Sequence, residues 1–384
     1  MTIADKSLAL GLRPISRRWT SVAATIGLIA YTMVFSEVFI RLLAPQPIFP
    51  RYVTGTPWGV RGNIPGAHYW HTSADIKVEF RINRWGMRDD RDFTLEKPAG
   101  VCRIAVFGDS FLMGYEVDLK DSFASRLEAR IRASGRNVQV LNFSVSGFGT
   151  AEMLRTYEAF GRKFAPDVVI FGWNSSDLAD NVRADLYRLE NGRLVPGSPT
   201  YLPSTSIQNF LIQSRIYVWI ADHSHLYNLL RERTALTAKR LLAKINRLRL
   251  RFGSAAAMSS PDERNERTSQ YSAALATALL QKSMREVAKN DSEFVLVDLP
   301  VLVDLPDRVS GTTFRSSFDL LSTNLRNLKA VLPFDAFRAA AGRDRRLYYE
   351  HGEGHLTPEA VDIVARLAAE TIFKSSKLAG CPIR

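Results

Sequence analysis

The first long apolar stretch runs from Trp19 to Ser36 without a charge, continues through Glu37-Val-Phe-Ile, and closes at Arg41 to Leu43. A helix over residues 19–43 is long enough to cross the ~30 Å hydrocarbon core of a bilayer. Glu37 and Arg41 are four apart, so they share one helical face near its far end, where they can pair at interfacial depth. Lys6, Arg13, Arg17 and Arg18 precede the stretch against Asp5 alone. The excess of positive charge predicts residues 1–18 in the cytoplasm and the remainder across the membrane. No small-x-small site follows the stretch, and Pro45 and Pro47 come next. An uncleaved anchor is therefore expected, with a cleaved signal peptide as the alternative.

Residues 44–100 are rich in Pro, Gly and aromatics, and Lys77 to Ile82 alternates with period two. This predicts a membrane-proximal linker with a small β-element. From residue 101 the pattern changes to short apolar runs separated by helical spacing. Strands are predicted at Ile104–Phe107, Val138–Phe143, Asp167–Phe171, Phe294–Leu299 and, shortest, Leu347–Tyr349. Helices are predicted over Asp121–Ser134, Thr150–Lys163, Arg267–Lys289 and Thr357–Lys374, the last with Pro358 in its first turn. Alternating strands and helices predict an α/β fold over residues 101–384, a three-layer α/β/α sandwich around a central parallel sheet, preceded by one transmembrane helix. The rhythm breaks over 300–332 and over about 185–262. Within the second gap, Leu226–Phe252 reads as a strongly basic helix, either solvated and packed on the domain or serving as a lid or membrane-surface helix.

The net charge of +12 on 384 residues fits an anionic surface or substrate. No zinc-finger spacing or RNP-type strand accompanies it, so nucleic acid is not expected as a partner. The two cysteines form no CxxC pair and the six histidines no HExxH pattern, so neither a metal nor another cofactor is expected. Chemistry concentrates instead at four strand-end or loop positions. Gly108-Asp-Ser110 follows the first strand of the domain. Ser146-Gly147-Phe-Gly149 follows the second, and Gly172-Trp-Asn174-Ser-Ser176-Asp the third. Glu353-Gly-His355-Leu-Thr-Pro introduces the last helix. A parallel sheet gathers its ligands at the carboxyl ends of its strands. A serine, a histidine, an acid and candidate oxyanion donors collected there are the parts of an acyl-transfer site.

The order and spacing of these blocks resemble the SGNH, or GDSL, hydrolase superfamily over roughly residues 101–375. The resemblance implies a flavodoxin-like sheet, Ser110 as nucleophile, His355 as base, and the Ser110 and Gly147 backbone N–H groups as oxyanion donors. Two positions depart from the pattern. The third-block asparagine is matched by Asn174 or, in the other register, by Ser176. The acid usually three residues before the histidine falls on Gly352, and Glu353, two before, is the expected substitute; residues two apart in an extended segment point to one side. His351 lacks the helix start that follows His355. The layout of an anchor followed by this domain resembles bacterial envelope proteins of surface-polysaccharide modification. That implies a serine esterase or O-acyltransferase for acetyl esters of envelope polysaccharide, in the inner membrane with its catalytic domain periplasmic. Its partners would be an acylated carbohydrate or lipid and polysaccharide-assembly proteins. A lipase or thioesterase on membrane lipids and an inactive binding or scaffold protein are the alternatives. Cys102, before the first strand, and Cys381, after the last helix, can meet at one sheet edge. They are expected either as a disulfide, if their Cα atoms lie within ~7 Å, or as two free thiols.

Overall fold

The computed structural model describes residues 17–46, 53–72, 75–200, 210–234 apart from 212 and 232, 237, 261–301, 325, 327–341, 346–349 and 354–382. Two compact units emerge: residues 1–48 with 219–252, and residues 49–218 with 253–384.

The first unit contains the helix Arg17–Leu43. Its segment Thr20–Leu43 is long and apolar enough to cross a membrane, and none of its side chains is buried. Arg41 pairs with Glu37 at 3.1 Å. A second helical segment begins at His225; most of the basic helix expected over 226–252 lies outside the described residues.

The second unit opens with two antiparallel hairpins, β1 (Val53–Gly55) with β2 (Arg61–Asn63) and β3 (His68–Thr72) with β4 (Lys77–Arg81). The central sheet follows. Its strands are β5 (Cys102–Phe107), β6 (Val138–Asn142) and β7 (Val168–Trp173) and, after the hairpin β8 (Tyr187–Glu190) and β9 (Arg193–Pro196), β10 (Glu293–Asp298) and β11 (Lys329–Val331). The five pair in parallel in the order β11-β10-β7-β5-β6. Every residue of β5 and β7 is buried, which is why Ile104–Phe107 and Val168–Trp173 read as unbroken apolar runs rather than alternating ones. On one face the helices Phe123–Ala133 and Pro358–Phe373 cover Ile104, Val106, Val140 and Ile170. On the other, the helices Thr150–Ala159 and Pro261–Lys289 cover Ala105, Phe107, Val169 and Phe171. The architecture is thus a three-layer α/β/α sandwich.

Three details differ from the sequence pattern. The short strand expected at Leu347–Tyr349 is a single bridge, Tyr348 opposite Leu356, and among the described residues no sheet strand adjoins it. β11 lies inside the stretch expected to be irregular, its three residues too few to show a period. The β8–β9 hairpin also falls in a presumed gap. Its turn is Asn191-Gly192, both at positive φ, the pairing that two-residue hairpin turns demand.

Cys102 and Cys381 are bonded, with Cα atoms 5.8 Å apart. The bridge closes a loop spanning 279 positions and ties the last turn of the chain to the start of β5. Replacing both by serine should lower unfolding stability by about 2–5 kcal/mol. The denaturant midpoint of the double variant, compared with wild type with and without reductant, checks this.

Candidate active site

β5 delivers the chain to Gly108 and Asp109, and a four-residue helix starts at Ser110. Asp109 caps that helix, its Oδ1 accepting the Phe111 N–H at 2.9 Å. The cap fixes the turn that sets Ser110 at the sheet's carboxyl edge. His355 enters from the opposite end of the sequence. The Tyr348–Leu356 bridge and the Tyr349 N–H, donated to the His355 carbonyl at 3.1 Å, hold its backbone. Thr357 then caps the helix Pro358–Phe373.

These two elements bring His355 Nε2 to 2.7 Å from Ser110 Oγ. The other ring nitrogen, Nδ1, lies 3.0 Å from Glu116 Oε2. The Glu116 side chain is 0% exposed and that of His355 6%. A carboxylate accepts only, so Nδ1 carries the proton and Nε2 is left to accept from the serine hydroxyl. Serine, histidine and carboxylate are each within hydrogen-bond reach of the next, the arrangement that nucleophile, base and orienting acid take in serine catalysis.

The acid that the structure places at His355 Nδ1 is Glu116, six positions after the serine, whereas the sequence pattern pointed to Glu353. Glu353, Gly352 and His351 lie outside the described residues. Glu116 is the lone acid of an otherwise apolar run, Phe111 to Val117, and the structure buries it.

Among the described residues, neither the Ser110 nor the Gly147 N–H donates to another protein group. Gly147 adopts φ +74°, and a Cβ there would sit 2.8 Å from Arg61 Nη2. Arg61 donates to the Gly147 carbonyl at 2.5 Å, fixing the peptide from the far side. Of the two candidates for the third donor, Asn174 is buried and Ser176 exposed. Asn174 Nδ2 donates to Asp109 Oδ2 at 2.7 Å, and its Oδ1 accepts the Ser176 N–H at 2.8 Å. An amide nitrogen carries two hydrogens, so one is left beyond the bond to Asp109. The Ser176 hydroxyl donates to Asp180 at 3.1 Å instead.

The segment carrying Glu116 is braced from outside the sheet. Arg88 is 1% exposed. Its guanidinium donates to the carbonyls of Met113 at 3.1 Å, Val117 at 2.6 Å, and Gly114, and it stacks over Phe80 at 3.9 Å. His71, fully buried on β3, donates from Nδ1 to the Tyr115 carbonyl at 2.9 Å. Burial depresses the His71 pKa, which keeps the ring neutral and this tautomer in place. Residues of the β1–β4 region thus hold the loop on which the acid sits, a role that composition and alternation do not reveal. Arg88→Met leaves these buried carbonyls without their donor, at about 1–3 kcal/mol for each one left unsatisfied. Melting temperature and kcat of the variant should therefore fall together, as thermal scans and steady-state rates would show.

Behind the site lies a layer of buried acids. Burial raises the Asp109 pKa, opposed by the Phe111 N–H and the Asn174 amide. Burial raises that of Asp177 well above the carboxylate range. Asp177 accepts the Asn174 N–H at 3.0 Å and the Thr150 hydroxyl at 2.8 Å, and so sets the start of the helix Ser176–Ala184. With a folded pKa above the unfolded one, the contribution of Asp177 to stability is complete below the ordinary carboxylate range. It is lost as pH rises through the folded pKa. Asp177→Asn should therefore gain melting temperature relative to wild type as pH rises from about 4 to 8. A difference that stays constant across that range would contradict this.

No protein-family profile and no curated protein matches the chain. Among solved structures it is similar to the lipase/acylhydrolase from Enterococcus faecalis, at 13% identity and a TM-score of 0.38, over 74% of this chain and 98% of that one. A member of the lipolytic G-D-S-L family from Veillonella parvula gives 13% identity and a TM-score of 0.35, over 71% and 100% of the two chains. An acetyl-xylooligosaccharide esterase from Geobacillus gives 11% identity and a TM-score of 0.39, over 71% and 95%. At these identities the likeness concerns the fold alone.

Proposed function

We propose that this chain is a serine esterase or O-acyltransferase that works through a covalent acyl-enzyme at Ser110. The observation that carries the proposal is the hydrogen-bonded series Ser110 Oγ, His355 Nε2 and Nδ1, and Glu116 Oε2, at 2.7 and 3.0 Å. A serine hydroxyl is a weak nucleophile until a neighbouring base removes its proton. Here Ser110 Oγ attacks an ester carbonyl carbon while its proton passes to His355 Nε2. Glu116 steadies the imidazolium that forms. The carbonyl oxygen, now an oxyanion, receives the Ser110 and Gly147 N–H groups and the remaining Asn174 amide hydrogen. Collapse expels the alcohol, which takes the proton from Nε2. A second alcohol or water, deprotonated by the same nitrogen, then attacks the acyl-serine and releases the acyl group as a new ester or as the acid. Water makes the protein an esterase and a sugar hydroxyl makes it a transferase.

The substrate class is proposed on the layout of the chain. A helix able to cross a membrane precedes the catalytic domain, and the charge bias ahead of it favours an extracytoplasmic domain. The Cys102–Cys381 bridge suits an oxidising compartment. Acetylated polysaccharide of the bacterial envelope, reached from the periplasmic face of the inner membrane, fits that location. Hydrolysis of p-nitrophenyl acetate by the wild type, and its absence in Ser110→Ala, tests the chemistry. Parallel assays of acetyl release from, and acetyl transfer to, candidate envelope polysaccharides separate esterase from transferase. A wild type inert toward both the model ester and every acetylated polymer would overturn the proposal.

A further inference from the structure

The helix Arg215–His223 has two unlike faces. Tyr217, Val218 and Ala221 turn inward, and Ala221 is fully buried. Ile216, Trp219 and Ile220 fall three and four apart on the opposite face and are 75%, 63% and 37% exposed. Arg215, four before Trp219, and Asp222, three after it, border that face, and the His223 ring stacks on Trp219 with centroids 5.1 Å apart.

The end of this helix is latched to the apolar N-terminal helix. The chain turns at Ser224, and a new helical segment starts at His225. Its first N–H groups, those of His225 and Leu226, each donate to the Glu37 carboxylate at 2.9 Å, and the Ser224 hydroxyl donates to it at 2.7 Å. Arg41 spans the junction. It donates to Glu37 at 3.1 Å and to the His223 carbonyl at 2.6 Å. The Gln46 N–H donates to His225 Nδ1 at 2.8 Å. Glu37 thus caps the positive start of one helix, and Arg41 satisfies the negative end of the other, the arrangement that helix dipoles favour. A carboxylate inside an apolar span is costly unless its lone pairs are satisfied, and here the turn at Ser224 satisfies them. Glu37 lies six residues from the end of the helix at Leu43, about 9 Å at 1.5 Å per residue, which is the depth of the headgroup boundary.

We infer that the helix Arg215–His223 is an interfacial membrane helix. It is pinned by Glu37 and Arg41 at the boundary depth, with Ile216, Trp219 and Ile220 inserted among the lipids. The occupant of the exposed face is the bilayer that the N-terminal helix crosses, because the latch brings the helix to that boundary. Tryptophan with aliphatic neighbours is the composition that settles there. The inference rests on Thr20–Leu43 being a transmembrane span.

Both native cysteines are engaged in the bridge, so single cysteines can be labelled with an environment-sensitive fluorophore. Full-length Trp219→Cys and Leu28→Cys would be placed in lipid nanodiscs carrying nitroxide lipids, labelled either near the headgroup or near the acyl terminus. The Leu28 probe should be quenched most by the deep nitroxide. The Trp219 probe should be quenched most by the shallow one, about two-fold or more. Adding Glu37→Ala should release the probe at 219 and leave the probe at 28 quenched. Quenching at 28 without quenching at 219 overturns the inference while the span stands. No quenching at 28 removes the span, and the inference with it.

Discussion

Glu116→Gln is expected to lower kcat by about 10²–10⁴ with little change in KM, while Glu353→Gln stays within about three-fold of wild type. The reasoning is geometric. Glu116 Oε2 lies 3.0 Å from His355 Nδ1 in a fully buried setting. A carboxylate there fixes the tautomer that leaves Nε2 free to accept the serine proton, and it stabilises the imidazolium of the transition state. Glutamine has nearly the same shape and no charge. Its amide nitrogen can donate to Nδ1, which moves the ring proton to Nε2 and faces the nucleophile with a donor. Because the lost interaction is one that strengthens in the transition state, kcat falls and substrate affinity does not. Steady-state kinetics on a model ester with both variants decides between the two acids. A large loss in Glu353→Gln with Glu116→Gln unaffected would return the role to Glu353.

Ser110→Ala is expected to have the larger effect, about 10⁶ in kcat, the loss typical when the nucleophile of such a triad is removed. The hydroxyl occupies one end of the series and packs little volume, so the fold should be retained. An unchanged circular dichroism spectrum and melting temperature would show this. His355→Ala should cost nearly as much alone, and the double variant little more than either, since the groups act as one unit. Additive losses would mean that serine and histidine serve separate steps.

Much of this was legible in the sequence, and the limits have physical causes. The parallel sheet showed itself because both its faces are buried, and Ile104–Phe107, Val168–Trp173 and Phe294–Val297 read as continuous apolar runs. Ser110, Gly147 and His355 were legible because each sits in a short motif at a strand end or helix start, where local backbone demands and chemistry coincide. Which of Asn174 and Ser176 reaches Asp109 and which is spent on Asp180 was visible only in the coordinates. Glu116 was hidden because its partner lies 239 positions away, and nothing in the local pattern distinguishes a buried acid from a solvated one. Arg88 and His71 were hidden for the same reason. Their partners are backbone carbonyls of another segment, and carbonyls leave no trace in side-chain patterning.

The most direct test of the central claim is covalent capture of the nucleophile. Purified full-length protein treated with a fluorophosphonate, digested and mapped by mass spectrometry should carry the adduct on Ser110. Labelling should be slowed in Glu116→Gln and absent in Ser110→Ala and His355→Ala. A wild type that does not react, or an adduct that persists on another residue when Ser110 is replaced, would contradict the assignment of Ser110, His355 and Glu116 as the catalytic series.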